Sequence, residues 1–184
     1  MDAVKIELDP FRASDGLLLY RRVYRPVAAP IGDLLLGHGI GEDSSRYIQA
    51  ARAFAQAGWR TVTWDLRGHG RSEGPRGYVS RWSRYHDDLA EQVDALKSEG
   101  RPLVVVGHSM GGLIAQMYLL EHPHDLHGAV LSASTAKVEE GMSPLTIMAA
   151  KILSALVPKA GLVVLDADLV SRDPQVVQAY VTDP

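Results

Sequence analysis

VVVGHSMGG, residues Val104 to Gly112, is the stretch on which the fold turns, because an apolar β-branched run meets a helical pattern at Gly-x-Ser-x-Gly. The run before it, PLVVVGHS, reads as a buried strand. The residues after it read as a helix from about Met110 to His122, stopped by Pro123. A serine at such a junction occupies a tight strand-to-helix turn, and Gly107, Gly111 and Gly112 are small enough to allow the close packing this needs. Ser109 is therefore the candidate catalytic nucleophile at the tip of a nucleophile elbow, and the chain reads as a serine hydrolase. A serine hydroxyl is a weak nucleophile until a base takes its proton. All seven histidines lie at or before His127, which makes the base the open question of the sequence.

Working outward, strands and helices alternate. VKIEL and Leu17 to Pro26 read as strands forming a hairpin at a sheet edge, and Asp33 to Gly39 as an apolar strand ended by glycine. Tyr47, Ala50, Ala51, Phe54 and Ala57 recur at helical spacing, with Ser44 or Ser45 as the cap and Gly58 just past the end. Trp59 to Leu66 reads as a strand, Tyr85, Leu89, Val93 and Leu96 as one helix face, and GAVLSAS after His127 as another strand. This alternation predicts an α/β fold with a mostly parallel sheet covered on both faces. After Ala136 the style changes. Ser143 to Pro158 is helical and apolar most of the way round, which predicts an inserted helical cap, and Asp173-Pro174 is a helix start for PQVVQAYV.

At 184 residues, 46% hydrophobic and 22% charged, the chain is long and apolar enough to bury a core as one folded unit. A net charge of -3 and a pI near 6.1 argue against a nucleic-acid partner. The absence of cysteine excludes disulfides and thiolate metal sites. No apolar run has signal-peptide form or approaches the ~20 residues of a membrane span. A cytoplasmic protein is the simplest expectation.

HGIGE, His38 to Glu42, follows an early strand. Acyl transfer places negative charge on the former carbonyl oxygen, and each backbone N–H aimed at that point is worth roughly 2.7–4 kcal/mol. The residue after the nucleophile and the loop after an early strand supply these donors, which nominates Met110 and Ile40 as the oxyanion hole. The glycine- and arginine-rich loop Asp65 to Tyr78 is read as structural, His69 included. His86 reads as a surface or partly buried helix residue, and His108 as pointing away from the reacting atom. His122, His124 and His127 cluster around Pro123, where a His-x-His metal pair is weighed against solvent-facing side chains and set aside; neither metal nor cofactor is expected. Asp166 and Asp168, ending LVVLDAD, stand where a triad acid would be sought, but no histidine follows to be oriented.

HGIGEDSSRY, DLRGHGRSEGPRGYV, GHSMGG and the tail SRDPQVVQAYVTDP together resemble the monoacylglycerol lipases and lysophospholipase-like members of the α/β-hydrolase superfamily. The resemblance implies a core of eight strands, a cap over an acyl pocket, and hydrolysis of a single fatty acyl ester of glycerol or a related lipid. It implies Ser109 as nucleophile with Ile40 and Met110 as backbone oxyanion donors, and a cap that lines the acyl entrance and touches the membrane surface. On this pattern residues 1–136 are the N-terminal part of the hydrolase core and residues 137–184 the cap region. The family's catalytic acid and base lie on later strands and loops, so they are expected beyond Pro184. The isolated chain is then expected to be nearly inactive, and to self-associate or pair with a C-terminal portion through an open sheet edge. Two other readings stay open, namely an α/β-hydrolase acting on small non-lipid esters and a non-catalytic lipid-binding or scaffold protein.

Overall fold

The unbroken apolar runs become the centre of a sheet and the amphipathic stretches cover it. A computed structural model describes residues 4–97, 99–134, 148 and 171–182. Its strands are β1 (Val4–Leu8), β2 (Phe11–Arg12), β3 (Leu18–Leu19), β4 (Arg21–Pro26), β5 (Gly32–Gly37), β6 (Trp59–Trp64), β7 (Leu103–His108) and β8 (Gly128–Ser132). The helices are α1 (Ile48–Gln56), α2 (Ser83–Lys97), α3 (Met110–Glu121) and α4 (Pro174–Val181), with a 3₁₀ turn over Ser44–Tyr47. Six strands form one sheet in the order β1-β4-β6-β5-β7-β8. β6, β5, β7 and β8 run parallel, while β4 joins β6, and β1 joins β4, antiparallel.

Alternation along the strands feeds two cores. Val23, Leu35, Val62, Trp64 and Val105 pack with Leu89, Val93, Ile114 and Tyr118 of α2 and α3 on one face. Tyr24 and Val4 pack with Ala51, Ala55 and Ile48 of α1 on the other. This is the α/β architecture read from the alternation, a mostly parallel sheet with helices on both faces. At the amino ends of the parallel strands, the fully buried Asp33 accepts from Arg60 Nε at 2.5 Å and from Arg101 Nε at 3.1 Å, and Glu99 pairs with both arginines.

Three local expectations change. Between β1 and β4 the chain inserts a separate small hairpin, β2 with β3, so the edge pairing is real but not a simple two-strand turn. The cap before α1 is neither Ser44 nor Ser45: Asp43 accepts from Ser45 N at 2.6 Å and starts the 3₁₀ turn, and α1 begins after it. Along α1, Ala51 and Ala55 are buried while Ala50 and Ala57 are exposed. β8 is the outermost strand among those described on its side, and Val130 and Leu131 are exposed rather than covered.

α4 starts as its sequence predicts, with Pro174 in the first turn and Asp173 accepting from Gln175 N at 2.9 Å. Of Ser143 to Pro158 only Met148 is described, as an exposed helical residue; the rest of that stretch, the residue 136 boundary, and Asp166 and Asp168 lie outside the described residues.

The loop after β6 is fastened to α2 by a bidentate pair. Arg67 donates to Asp88 from Nε at 2.7 Å and from a terminal nitrogen at 2.5 Å, with both side chains buried, and also reaches Asp15 at 2.9 Å. Removing one partner of such a pair strands a charge in a dry place. Asp88→Ala is therefore expected to cost about 3–5 kcal/mol in urea unfolding, and the half-exposed Asp15→Ala much less.

Candidate active site

The sheet order places the loops after β5 and β7 at a divergence. β5 lies between β6 and β7, and α1, following β5, packs on one face whereas α3, following β7, packs on the other. At such a switch point the loops separate at the carboxyl ends of the strands and leave a crevice, the usual ligand position in an open parallel sheet. His38–Glu42 and Ser109 stand there.

Ser109 links β7 to α3 with φ 48° and ψ -112°, a conformation that costs a non-glycine residue on the order of 1–3 kcal/mol. What holds it there is close packing. A Cβ on Gly107 would come within 2.5 Å of the Gly111 carbonyl oxygen, and one on Gly111 within 2.6 Å of the carbonyl oxygens of Gly37 and His38. Ser109 N donates to Ser132 O at 2.9 Å, and Ser109 O accepts from Leu113 N at 3.0 Å to begin α3. The hydroxyl does not cap its own helix, and among the described residues none hydrogen-bonds Ser109 Oγ. Met110, the first residue of α3, has no intrahelical acceptor for its N–H.

The loop after β5 lies against the elbow: a Cβ on Gly39 would be 3.2 Å from Ser109 Cβ and 3.3 Å from the His108 ring. Glu42 folds this loop back on itself, accepting from Gly39 N and from Tyr47 Oη, both at 2.6 Å. Burial and that carboxylate push the Tyr47 phenol up, so it stays neutral and donates. With Gly39 N–H occupied, the exposed Ile40 is the next residue whose N–H has no acceptor among the described residues. The structure thus brings Ile40's loop and Met110 to the same end of the sheet as Ser109. Glu42 was quoted in the motif but given no task; an acceptor three residues after a loop glycine is the signal that points to it.

His38 is fully buried and joins two loops, with Nδ1 2.6 Å from Gly39 O and Nε2 accepting from Leu66 N at 2.9 Å. This pairing assigns the proton to Nδ1. Burial drives its pKa below the ordinary value near 6.5, and does the same to His69, whose ring is 5.5 Å away and whose Nδ1 is 3.1 Å from Arg67 O. Asp65, 1% exposed, accepts from Ser44 N and Arg71 N, each at 2.9 Å, and so shapes the loop after β6. His108 Nδ1 lies 3.3 Å from Ser132 Oγ. His127 Nδ1 accepts from Leu103 N at 3.2 Å.

A profile described as serine aminopeptidase, S33, matches residues 28–184. The chain is 37% identical over 95% of its length to the monoacylglycerol lipase of Mycolicibacterium smegmatis, and 33% identical over 93% to the human monoglyceride lipase. It spans 63% and 57% of the lengths of those two relatives. Among solved structures it is similar to the monoacylglycerol lipase of Paleococcus ferrophilus, with a TM-score of 0.73 and 31% identity over 90% of this chain and 63% of that one.

The buried neutral histidines set a pH dependence. With folded pKa values lowered, the unfolded chain binds more protons once the pH drops below about 6.5, so stability is lost as pH falls through that value. The melting temperature is expected to drop between pH 7 and pH 5, above the range in which the lowered carboxyls titrate. His38→Gln is expected to melt lower at pH 7 and to show a shallower slope over that window; an unchanged slope would assign the effect elsewhere.

Proposed function

The chain belongs to the serine aminopeptidase S33 family, as a monoacylglycerol-lipase-like α/β-hydrolase, and on that footing we propose that it carries the nucleophile and oxyanion hole of a serine hydrolase for carboxylic esters of monoacylglycerol-like lipids. The observation that carries this reading is the strained backbone of Ser109, held by glycine contacts, with Gly39's loop against its Cβ. In the proposed reaction Ser109 Oγ attacks the ester carbonyl carbon, and the N–H groups of Ile40 and Met110 hold the oxyanion. The glycerol oxygen leaves with a proton, giving an acyl-serine that water then hydrolyses to the fatty acid.

None of the described His38, His69 and His108 is placed as the base. Both ring nitrogens of His38 are engaged, His69 bonds its own loop, and His108 leans on Ser132. We therefore assign the catalytic acid and base to no residue described. An oxyanion hole and binding alone leave roughly 10³–10⁴-fold acceleration over water, so the 184-residue chain by itself turns over slowly. The same lack of a partner for Ser109 Oγ favours, as a second reading, a non-catalytic lipid-binding protein that keeps the elbow for its fold.

We assign residues 1–136 to the core and 137–184 to a cap over the acyl entrance, with transient contact at a membrane surface. Tyr180 of α4 lies under the Arg46 guanidinium at 4.8 Å, which supports α4 standing beside the 3₁₀ turn that follows the Gly39 loop. None of the described helices is long and apolar enough to cross a membrane.

Two measurements test this. Fluorophosphonates with short and long alkyl chains are expected to label the chain slowly, faster with the long chain, and not at all in Ser109→Ala; no labelling of the parent chain supports the non-catalytic reading, and a short-chain preference supports small esters. Gel filtration is expected to show concentration-dependent association through the β8 edge, which no described strand pairs, and a single concentration-independent monomer peak would remove that part of the proposal.

A further inference from the structure

Away from the crevice, α2 and the end of α3 bring together three groups that the hydrolase reading does not use. We propose that His86, Glu121 and His122 form a divalent transition-metal site of zinc type. α3 spans about 18 Å at 1.5 Å per residue, and this cluster lies at the end opposite Ser109. One ligand atom from each residue lies within 4.8 Å of the others. Two imidazoles and a carboxylate are a donor set that zinc takes readily, with a fourth position left to water.

The geometry is close to what the ion requires. With ligand bonds near 2.1 Å, tetrahedral donors stand about 3.4 Å apart. His86 Nε2 is already 3.4 Å from Glu121 Oε2. Glu121 and His122 are 63% and 41% exposed, so rotation of their side chains closes the remaining gap, while the 12% exposed His86 provides the fixed point.

A second observation points to a ligand. His86 Nε2 is a buried polar atom with no hydrogen-bond partner among the described residues, in spite of the nearby carboxylate. Its lone pair is thus open to a ligand, and a metal ion is one partner that would satisfy it. The two rings also contact each other and Tyr118. His122 stacks on Tyr118 at 4.6 Å with planes 23° apart, and on His86 at 5.9 Å. Tyr118 Oη donates to Asp125 at 2.8 Å, and Lys97 holds that carboxylate at 2.9 Å. Asp125 Oδ2 is 3.7 Å from His122 Nδ1, and Asp87 Oδ1 is 3.9 Å from His86 Nδ1. These separations exceed hydrogen-bond length, so the two carboxylates add negative charge beside the rings rather than orienting them. An occupied site would fasten α2 to the end of α3, independently of chemistry at Ser109.

The test is zinc chloride titrated into the tag-free chain, followed by calorimetry and by thermal melting. One saturable zinc ion per chain is expected, with a melting temperature that rises with zinc concentration. His122→Ala and Glu121→Gln, both at exposed positions, are each expected to weaken binding at least about tenfold, while His124→Ala leaves it unchanged. The proposal is overturned if no saturable binding occurs, if neither His122→Ala nor Glu121→Gln weakens it, or if His124→Ala weakens it as much.

Discussion

The first turn of α3 lies so close to the ends of β5 and β7 that backbone meets backbone, and the crevice depends on this approach. Gly107 faces the Gly111 carbonyl, and Gly111 faces the carbonyls of Gly37 and His38, at distances a Cβ cannot tolerate. The approach holds Ser109 in a conformation that an isolated peptide would not keep. It also fixes where the first N–H groups of α3 stand relative to the loop after β5. An added methyl group at Gly111 would have to displace β5 or α3, because the obstructing atoms belong to main chain and cannot rotate away.

Around that contact, polar groups do the shaping from buried positions. His38 joins the loop after β5 to Leu66, Asp65 joins the loop after β6 to Ser44, and Glu42 closes the Gly39 loop with Tyr47. Each binds main-chain N–H groups that loops leave unpaired; His38 and Asp65 reach partners distant in sequence, whereas Glu42 closes its own loop. Burial keeps His38 and His69 uncharged, which suits them to hold geometry and makes them poor proton carriers near neutral pH. The Arg67–Asp88 pair extends the same device to α2.

The sheet, the order of its helices and the elbow were legible because each has a local signature: period, glycine spacing, or a proline stop. The α2 face of Tyr85, Leu89, Val93 and Leu96 is buried as read. What escaped was set by longer-range or subtler geometry. The Asp43 cap was hidden because a 3₁₀ turn displaces the start of α1, and the buried face of that helix is Ala51 and Ala55. The Arg67–Asp88 partnership joins residues that only the folded chain brings together. The histidines around Pro123 invited a search at short spacing, whereas the neighbour of His122 is His86, contributed by another helix.

The Asp33, Arg60, Glu99 and Arg101 cluster sits at the pole of the sheet opposite the crevice. It ties the amino ends of β5 and β6 to the residues leading into β7, on the side away from the Gly39 loop and Ser109. Anchorage and the candidate site are thereby separated along the strand axis. Loops at the carboxyl pole are free to be lengthened, shortened or rewritten by evolution or by an engineer, because the register of the parallel strands is locked from the far side.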